Sequence, residues 1–416
     1  MPPLPPEATS TATDALAAEA ALRRTNVQAA KAPVERTFVP PTFTIKELYD
    51  AIPAHCFERN TLRSSLHVLE DLTLIAIIGT AMWFTDGWLT SLAAPLWAKA
   101  VAWSVYAYVQ GVVATGIWVI AHECGHQAFS PSTSINYGVG FVLHTALLVP
   151  FHSWRITHGM HHAHTGHMTK DQVFVPKTRA QHGLADEQEN EEHEDSILRE
   201  TPIYSCLSVL VMLLVGWPLY LLTNLSGQDY GRWTSHFLPS SPVFKERQSG
   251  QVIASTLGLL AMLGLLGWSA SYFGAATVAL YYGAPYLWVN AWLVTITYLQ
   301  HTDPVLPHYR APAWDFVRGA LCTVDRDFGW LLNARLHHIH DTHVCHHLFS
   351  RMPHYNAVEA TRHLREKLGP QYYVFDRTPI IKALYRSWRQ CRYVENTGDV
   401  LFFRGINERR VPTKSE

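Results

Sequence analysis

The sequence is short of charged residues. Only 16% of its 416 residues are Asp, Glu, Lys or Arg, against roughly 25% in a typical soluble domain. The 33 basic and 34 acidic residues almost cancel, so the chain lacks the basic excess of a nucleic-acid-binding protein and no nucleic-acid partner is expected. Because 48% of the residues are hydrophobic, the composition favours a membrane protein.

Cysteine is also scarce, with six residues and no C-x-x-C pair. This excludes a disulfide scaffold and is typical of a protein that faces the reducing cytosol. The N-terminal stretch has no apolar core and carries acidic residues, unlike a signal or transit peptide. Residues 1–40, rich in Pro, Ala and Thr, are predicted to form a disordered tail, and residues 391–416 a C-terminal tail.

Long charge-poor runs are present instead. We predict an all-α integral membrane protein whose four transmembrane helices form two hairpins, at about residues 72–89, 100–120, 252–272 and 276–299. Run 137–151 is too short for a spanning helix, so it is interpreted as re-entrant or interfacial.

Run 203–225 is long enough to span but is interrupted by Gly216-Trp217-Pro218. Histidine clusters follow run 100–120 and run 276–299. They can share one site only if they lie on the same side of the membrane, so the chain must cross the membrane an even number of times between them. We therefore predict that run 203–225 lies in the membrane plane or re-enters. The basic residues after it favour a cytosolic position for that loop.

These arguments predict a membrane domain over residues 41–390 with both termini in the cytosol. A cytosolic helical cap would comprise residues 121–202 and 300–390. Within the cap, the acidic stretch 186–200 is interpreted as a solvated loop. A capping box of Thr44 and Glu47 predicts a short helix before the first span.

Histidine is abundant, with 24 residues, and three short boxes stand out. "HECGH" begins at His122, "HGMHH" at His158 and "HVCHH" at His343. Residues three or four apart lie on one helix face, so each box can direct two or three imidazoles at one point. The eight box histidines are His122, His126, His158, His161, His162, His343, His346 and His347. One zinc ion takes three or four ligands, so eight histidines indicate a site for two metal ions.

The first box also reads H-E-x-x-H, the motif of zinc metalloproteases. There, His122 and His126 would bind zinc and Glu123 would act as the base. That interpretation leaves the two later boxes unexplained, whereas a two-metal site uses all three, with Glu123 orienting a ligand imidazole. A metal transporter would need ligands within the spans, but the strongest spans contain no histidine. Imidazole suits zinc, copper, iron and nickel, so the residues alone leave the metal open.

Several stretches resemble the membrane fatty acid desaturases, in particular the fungal and plant oleate (Δ12) and ω-3 group. The resemblance covers about residues 35–390. It is carried by "KELYDAIPAHCFER", "HECGHQAFS", "TGHMTKDQVFVPK", "YLQHTDPVLPHY" and "DTHVCHHLFSRMPHYNA".

The resemblance implies a centre of two iron ions held by the eight box histidines, with His301 as a ninth ligand. Thr297 stands where acyl-CoA-type relatives have an Asn that contacts the metal through water. Glu123, Asp171 and Asp341 are expected to support the ligands. No ligand role is assigned to the nearby His144, His164, His167, His337, His338 and His340.

The resemblance further implies O2-dependent conversion of oleate to linoleate on a phospholipid acyl chain. The alternatives are ω-3 or bifunctional Δ12/ω-3 desaturation, then acyl hydroxylation or acetylenase chemistry. The chain has no His-Pro-Gly-Gly stretch of a fused cytochrome b5 and no Gly-rich nucleotide fingerprint after a strand. Electrons are therefore expected from a separate cytochrome b5 and its NADH-dependent reductase, among the membrane lipids of the endoplasmic reticulum.

Overall fold

The computed structural model describes residues 38–183 and 201–405. The chain divides into two units, residues 1–41 and 42–416. In the first unit only residues 38–41 are described, and they contain no helix or strand. Most of the predicted N-terminal tail, residues 406–416 and the acidic stretch 186–200 lie outside the described residues.

The second unit is mainly helical. Its α-helices up to residue 301 are α1 (Ile45–Asp50), α2 (Thr61–Ser91), α3 (Leu96–Gly125), α4 (Thr133–Ala146), α5 (Phe151–His164), α6 (Pro202–Thr223), α7 (Ser249–Phe273), α8 (Ala275–Val278) and α9 (Ala284–His301). The C-terminal part adds α10 (Phe316–Ala320), α11 (Trp330–Arg335), α12 (His343–Leu348), α13 (His354–Tyr372) and α14 (Ile380–Gln390). Short 3₁₀ turns of three or four residues lie at Ala54–Phe57, Ala180–His182 and Glu246–Gln248.

Two small strand pairs complete the described fold. Strand β1 (Pro307–Tyr309) pairs antiparallel with β4 (Val400–Phe402), with His308 opposite Leu401. Strand β2 (Asp325–Arg326) runs parallel to β3 (Phe375–Asp376). Residues 400–402 thus pair with β1 although they lie beyond residue 390, where the predicted membrane domain ends. A search for apolar runs does not detect such backbone pairing.

Helix α3 is the centre of the second unit. It packs against α2, α4 and α9, and most of its length is buried inside the protein. A Cβ atom at Gly111 would lie 2.3 Å from the Cβ of Trp288, so only glycine lets α3 and α9 approach this closely. The C-terminus of α3 carries the first histidine box into the same interior.

Among the described residues, four helices are long and apolar enough to cross a membrane: Thr61–Ser91, Leu96–Gly125, Pro202–Thr223 and Glu246–Phe273. The number equals the predicted four, but the set differs. The helix Pro202–Thr223 qualifies although we predicted that run 203–225 does not cross, and that placement stays a prediction.

The predicted span 276–299 is interrupted by a π-helical turn at Ala279–Gly283. Pro285 has no N–H to donate to the carbonyl of Tyr281 one turn earlier. The hydroxyl of Tyr106 donates to that carbonyl instead, at 3.0 Å. The last predicted span is therefore a continuous helix with a π-helical turn between α8 and α9, and not one regular α-helix.

Helices α4 and α5 meet at an angle of 109°, as in a broken span or a re-entrant loop. Pro150 precedes α5 and Leu148 has a φ of 55°, so the chain turns sharply at residues 147–150. This geometry fits the re-entrant or interfacial interpretation of run 137–151.

The polypeptide after α9 is held by a buried arginine. Arg326 donates through Nε to the carbonyl of Leu299 at 2.7 Å and pairs with Asp303 and Asp376. Arg386 of α14 contacts the same two carboxylates. The end of α9 is therefore tied to β2, β3 and α14.

Candidate metal centre

The first histidine box lies where α3 ends. His122 is in the last turn and His126 follows Gly125 as the capping residue. Their Nε2 atoms are 3.2 Å apart. The four-residue spacing thus places both imidazoles on one side of the helix terminus, as predicted.

The second box forms the C-terminal half of α5. His158 and His162 lie one turn apart, with Nε2 atoms separated by 3.1 Å, and the Nε2 of His158 is 2.9 Å from that of His122. His161 points to a different neighbour, His301 at the end of α9, with 3.4 Å between their Nε2 atoms.

The third box is the short helix α12. The ring of His346 lies against that of His122, with centroids 4.6 Å apart. The Nε2 atom of His343 is 3.1 Å from that of His301 and 3.2 Å from that of His347. The histidines of α12 therefore point in two directions, His346 toward His122 and His343 toward His301.

All nine predicted ligands therefore meet, in two adjacent groups. Ring nitrogens within 4.8 Å of one another define a five-membered group of His122, His126, His158, His162 and His346. A second group contains His161, His301 and His347, and His343 adjoins it. Each group combines segments that are far apart in the sequence.

The separations between these nitrogens fit metal binding. Two nitrogens about 2.1 Å from one ion lie roughly 3.0 Å apart at a right angle and roughly 3.4 Å apart at a tetrahedral angle. The measured separations of 2.9–3.4 Å lie in this range. The buried Nε2 of His346 has no hydrogen-bond partner among the described residues, which leaves its lone pair available.

Burial keeps the imidazoles of the third box neutral. Desolvation lowers the pKa of His343 to about 3 and holds the pKa values of His346 and His347 well below the usual range. A neutral imidazole is the form that binds a metal ion.

Three of the histidines are oriented by hydrogen bonds from their other ring nitrogen. Asp171 Oδ1 accepts from His161 Nδ1 at 2.7 Å, as expected for Asp171. The Nδ1 of His343 is 3.0 Å from the carbonyl of Ile339, and that of His347 is 3.1 Å from the hydroxyl of Thr165. Such contacts fix ring orientation and raise the basicity of the ligating nitrogen.

The other two predicted supporting carboxylates behave differently. Glu123 Oε1 lies between two imidazoles, 3.3 Å from His122 Nδ1 and 3.7 Å from His346 Nδ1. Asp341 instead accepts from His338 Nδ1 at 2.9 Å, and His338 belongs to neither group. Asp341 therefore does not orient any of the nine histidines in this structure.

Asp325 is a supporting residue that the sequence analysis missed. It is fully buried, and its carboxylate accepts from the backbone N–H of Val344 at 2.8 Å and from the hydroxyl of Tyr373. It thereby fixes the first turn of α12. The signal was present in "TVDRDFG", where two acidic residues flank an arginine between apolar segments.

Of the histidines excluded from the ligand set, three are bonded to backbone oxygens. His144 is 3.2 Å from the carbonyl of Trp118, His164 is 3.1 Å from that of Met160, and His340 is 2.8 Å from that of Arg326. His167 accepts from the backbone N–H of Thr169. His337 lies against Asp71, away from both groups.

A cavity of about 750 Å³ extends from the histidines along α6 and α9. His122, His158, His161, His301 and His343 form one part of its wall. Most of the remaining lining is apolar, and includes Trp118, Val211, Val215, Trp217, Leu293, Ile296 and Phe174. Thr297 also lines it, and the hydroxyl of Thr297 donates to the carbonyl of Leu293.

Comparisons with known proteins agree with this site. Residues 95–379 match the fatty acid desaturase family. The chain is 52% identical over 381 residues to a Delta(12) fatty acid desaturase of Mortierella alpina, covering 90% of this chain and 94% of that protein. It is 46% identical over 364 residues to a Delta(12)-acyl-lipid-desaturase of Punica granatum, covering 87% and 90% of the two chains.

A further relative has a different activity in its name. It is the oleate hydroxylase of Claviceps purpurea, 41% identical over 398 residues, with 89% of this chain and 83% of that protein covered. The agreement of the family match with these long alignments shows that the chain belongs to the fatty acid desaturase family.

Proposed function

We propose that this membrane enzyme is a Δ12 desaturase, which uses O2 and two iron ions to convert oleate to linoleate on a membrane lipid. The relatives in Mortierella alpina and Punica granatum are named for Δ12 desaturation. The observation that carries the proposal is the apolar cavity whose wall includes five of the nine clustered histidines.

The nine histidines would hold the metal ions, one in each group. The five-membered group would bind the first, and His161, His301, His347 and His343 the second. When bound, the two irons supply the activation of O2. All-imidazole ligation adds no negative charge, in agreement with the role of imidazole as a ligand for iron.

The cavity would hold the acyl chain beside the irons. Its lining follows α6 from Tyr204 to Tyr220, which at 1.5 Å per residue is about 24 Å. The indole ring of Trp118 stacks on His122, and the ring of Trp217 lies against that of Trp118. These apolar walls exclude water and restrict the position of the chain, and so would determine which two methylene groups face the metal ions.

Membership of the family supports a proposal for the partners and the location. We expect a phospholipid-linked acyl chain as substrate, and electrons from a separate cytochrome b5 with its NADH-dependent reductase. The enzyme would lie in the endoplasmic reticulum membrane with its histidines on the cytosolic side, where that donor is accessible.

The zinc-protease interpretation of "HECGH" is not supported. His122 and His126 share one group with histidines of both other boxes, which a single zinc with three protein ligands does not require. The family match likewise assigns the whole region to desaturases.

The proposal is tested by expressing the chain in a host that makes only monounsaturated acyl chains and has its own cytochrome b5. Gas chromatography of the fatty acids should show new linoleate. Additional α-linolenate would make the enzyme bifunctional, and a hydroxylated product would identify the alternative activity of the Claviceps purpurea relative. The His346→Ala variant should form no product, because it removes a ligand from the larger group.

Absence of any new fatty acid, even when linoleate is fed to cells that accumulate the protein, would contradict the proposal. The purified protein should also contain about two irons per chain, measured by mass spectrometry of the metal. A single zinc would favour the protease interpretation.

A further inference from the structure

Three histidines outside the metal centre form a cluster of their own. His67 lies in the second turn of α2, His337 follows α11, and His354 begins α13. Each offers a ring nitrogen within 4.8 Å of the other two. No function discussed above uses this cluster.

The three rings surround one point. The centroid of His354 is 4.9 Å from that of His67 and 4.9 Å from that of His337, and the rings are inclined by 70° and 57°. The third pair, His67 and His337, is 5.7 Å apart and inclined by 77°. Inclined rings that converge in this way direct their nitrogens to a common position, as three ligands of one ion do.

Asp71 orients one of these imidazoles. Its Oδ2 atom accepts from the Nε2 of His337 at 2.7 Å, and its side chain is buried. A carboxylate that holds one ring nitrogen of a histidine, so that the other faces the metal, is a recurring feature of metal sites. A Cβ at Gly116 would lie 3.0 Å from Asp71 Oδ2 and 3.3 Å from His337 Nε2, so the glycine makes room for the pair.

Two polar atoms in this cluster lack hydrogen bonds. The Nε2 of His354 and the Oδ1 of Asp71 are buried and have no hydrogen-bond partner among the described residues. Burying a polar atom without a partner is unfavourable, because the atom loses its hydrogen bonds to water. A bound cation would satisfy the imidazole nitrogen and compensate the negative charge of the carboxylate.

The charges around the cluster permit a cation. Arg335 is paired with Glu70 at 2.9 Å, and the guanidinium of Arg63 lies over the ring of Tyr355. The carboxylate of Asp71 has no arginine or lysine partner among the described ion pairs. A divalent ion would therefore meet one uncompensated negative charge.

We propose that His67, His337 and His354 bind one divalent transition-metal ion of the zinc type, with Asp71 orienting His337. This site is separate from the two-metal centre. Imidazole is a good ligand for zinc, and three histidines leave a fourth position for water.

The position of the ligands indicates a structural role. His337 lies six residues before His343, and His354 lies seven residues after His347. A metal bound there would clamp both flanks of α12, which carries the third box, to helix α2. The ion would restrict α12 without contacting the acyl chain.

The test is a metal count on the full-length protein, purified with its iron in place, incubated with zinc and then dialysed. We expect the wild type to retain one zinc in addition to iron. The His67→Gln and His354→Gln variants should each lose that zinc and keep the wild-type iron content. Asp71→Asn should weaken zinc binding by about 10- to 100-fold. Cobalt added in place of zinc should give visible ligand-field absorption only where the three histidines are intact.

The matched control is His363→Gln, which changes a partly exposed histidine on the same helix as His354. It should bind zinc as the wild type does. Iron content and a monodisperse elution profile show that each variant is folded. A wild type that retains only iron, or a His67→Gln protein that binds as much zinc as the wild type, would overturn the proposal. This readout does not depend on the substrate or on desaturase activity.

Discussion

At the scale of single residues, the metal centre depends on what each imidazole does with its second nitrogen. A ring that is free to rotate does not keep its metal-binding nitrogen directed at the ion, whereas a ring held by a carboxylate or carbonyl does. Asp171 is the clearest example of such a carboxylate, because it accepts from His161 at 2.7 Å. It also accepts from the backbone N–H of Gly166 at 3.0 Å and of Val173 at 3.1 Å. The carboxylate thereby fixes both the ring and the loop that follows α5.

Replacing this carboxylate tests the arrangement. We expect Asp171→Asn to lower metal affinity or linoleate formation by about 10- to 100-fold, since an amide holds the His161 ring less strongly than a carboxylate does. Iron content and fatty acid profiles measure the two effects separately. The control is Asp399→Asn, at an exposed position, which should change neither the iron content nor the fatty acid profile. If Asp171→Asn also left both quantities unchanged, the contact between Asp171 and His161 would have no role in the metal centre.

A second residue links stability to pH. His236 is fully buried, 3.2 Å from the hydroxyl of Thr157 and 3.3 Å from the carbonyl of Leu221, and desolvation lowers its pKa to about 4. In the unfolded chain this histidine gains its proton near pH 6.5, whereas in the folded protein it stays neutral until about pH 4. Acidification between these values therefore favours the unfolded state.

This residue should contribute on the order of 3 kcal/mol to the loss of stability on acidification. The loss is absent above pH 6.5 and is complete at about pH 4. We expect His236→Gln to flatten part of this pH dependence, measured as the thermal unfolding of detergent-solubilised protein. His363→Gln should retain the wild-type profile; an equally steep profile for His236→Gln would contradict the assignment.

At the scale of secondary-structure elements, the position of the second box depends on the sharp bend between α4 and α5. Phe151, the first residue of α5, packs over Gly140 of α4. A Cβ at Gly140 would lie 2.4 Å from Phe151 Cε2 and 2.8 Å from the Cβ of Cys124. The absence of a side chain therefore lets α3, α4 and α5 meet at one point.

Filling this contact should displace α5 and the histidines that it carries. We expect Gly140→Ala to lower stability by about 1–3 kcal/mol through overpacking and to lower linoleate formation. Gly138 lies on the exposed side of the same helix, with no atom within 4 Å of an added Cβ. Gly138→Ala should be neutral or slightly stabilising, so the comparison separates packing from helix propensity. Equal effects of the two substitutions would exclude the close contact as the cause.

At the scale of the whole molecule, the nine histidines must lie on one side of the membrane because they form one site. This condition restricts the path of the chain between α3 and α9. Helix α6 is long enough to cross, yet a single additional crossing would separate the boxes. The bent pair α4–α5 is a place where the chain can reverse without crossing.

The topology is tested by glycosylation. Flexible inserts that carry Asn-Gly-Thr are placed after Ala94, between α2 and α3, and after Gly231, between α6 and α7. We expect the first to be glycosylated and the second not, because we predict that the second lies on the cytosolic side with the histidines. Endoglycosidase treatment and electrophoresis measure the modification. Glycosylation after Gly231 would show that α6 crosses and that the parity argument is wrong.

Much of the site could be predicted because its signals are local. Spacings of three and four residues fix which histidines share a helix face, and charge-poor runs indicate where the chain can enter a membrane. His301 came from the family resemblance, since a lone histidine carries no pattern of its own. The supporting residues were harder to predict: Asp171 contacts His161, Asp341 contacts His338, and Asp325 was missed. A carboxylate finds its partner through packing, which the sequence does not show.

The sequence by itself determined the class of protein, the three histidine boxes and the family, since each depends on composition, spacing or close similarity over short stretches. Only the tertiary structure decided how the nine histidines divide into two groups. His346 and His347 are adjacent in the chain, yet they join different groups because α12 packs between α3 on one side and α9 on the other. The same packing brings His67, His337 and His354 together across 287 residues of chain (His67 to His354). Contacts between distant segments form when the chain folds and packs these segments together, and local patterns in the sequence do not specify them.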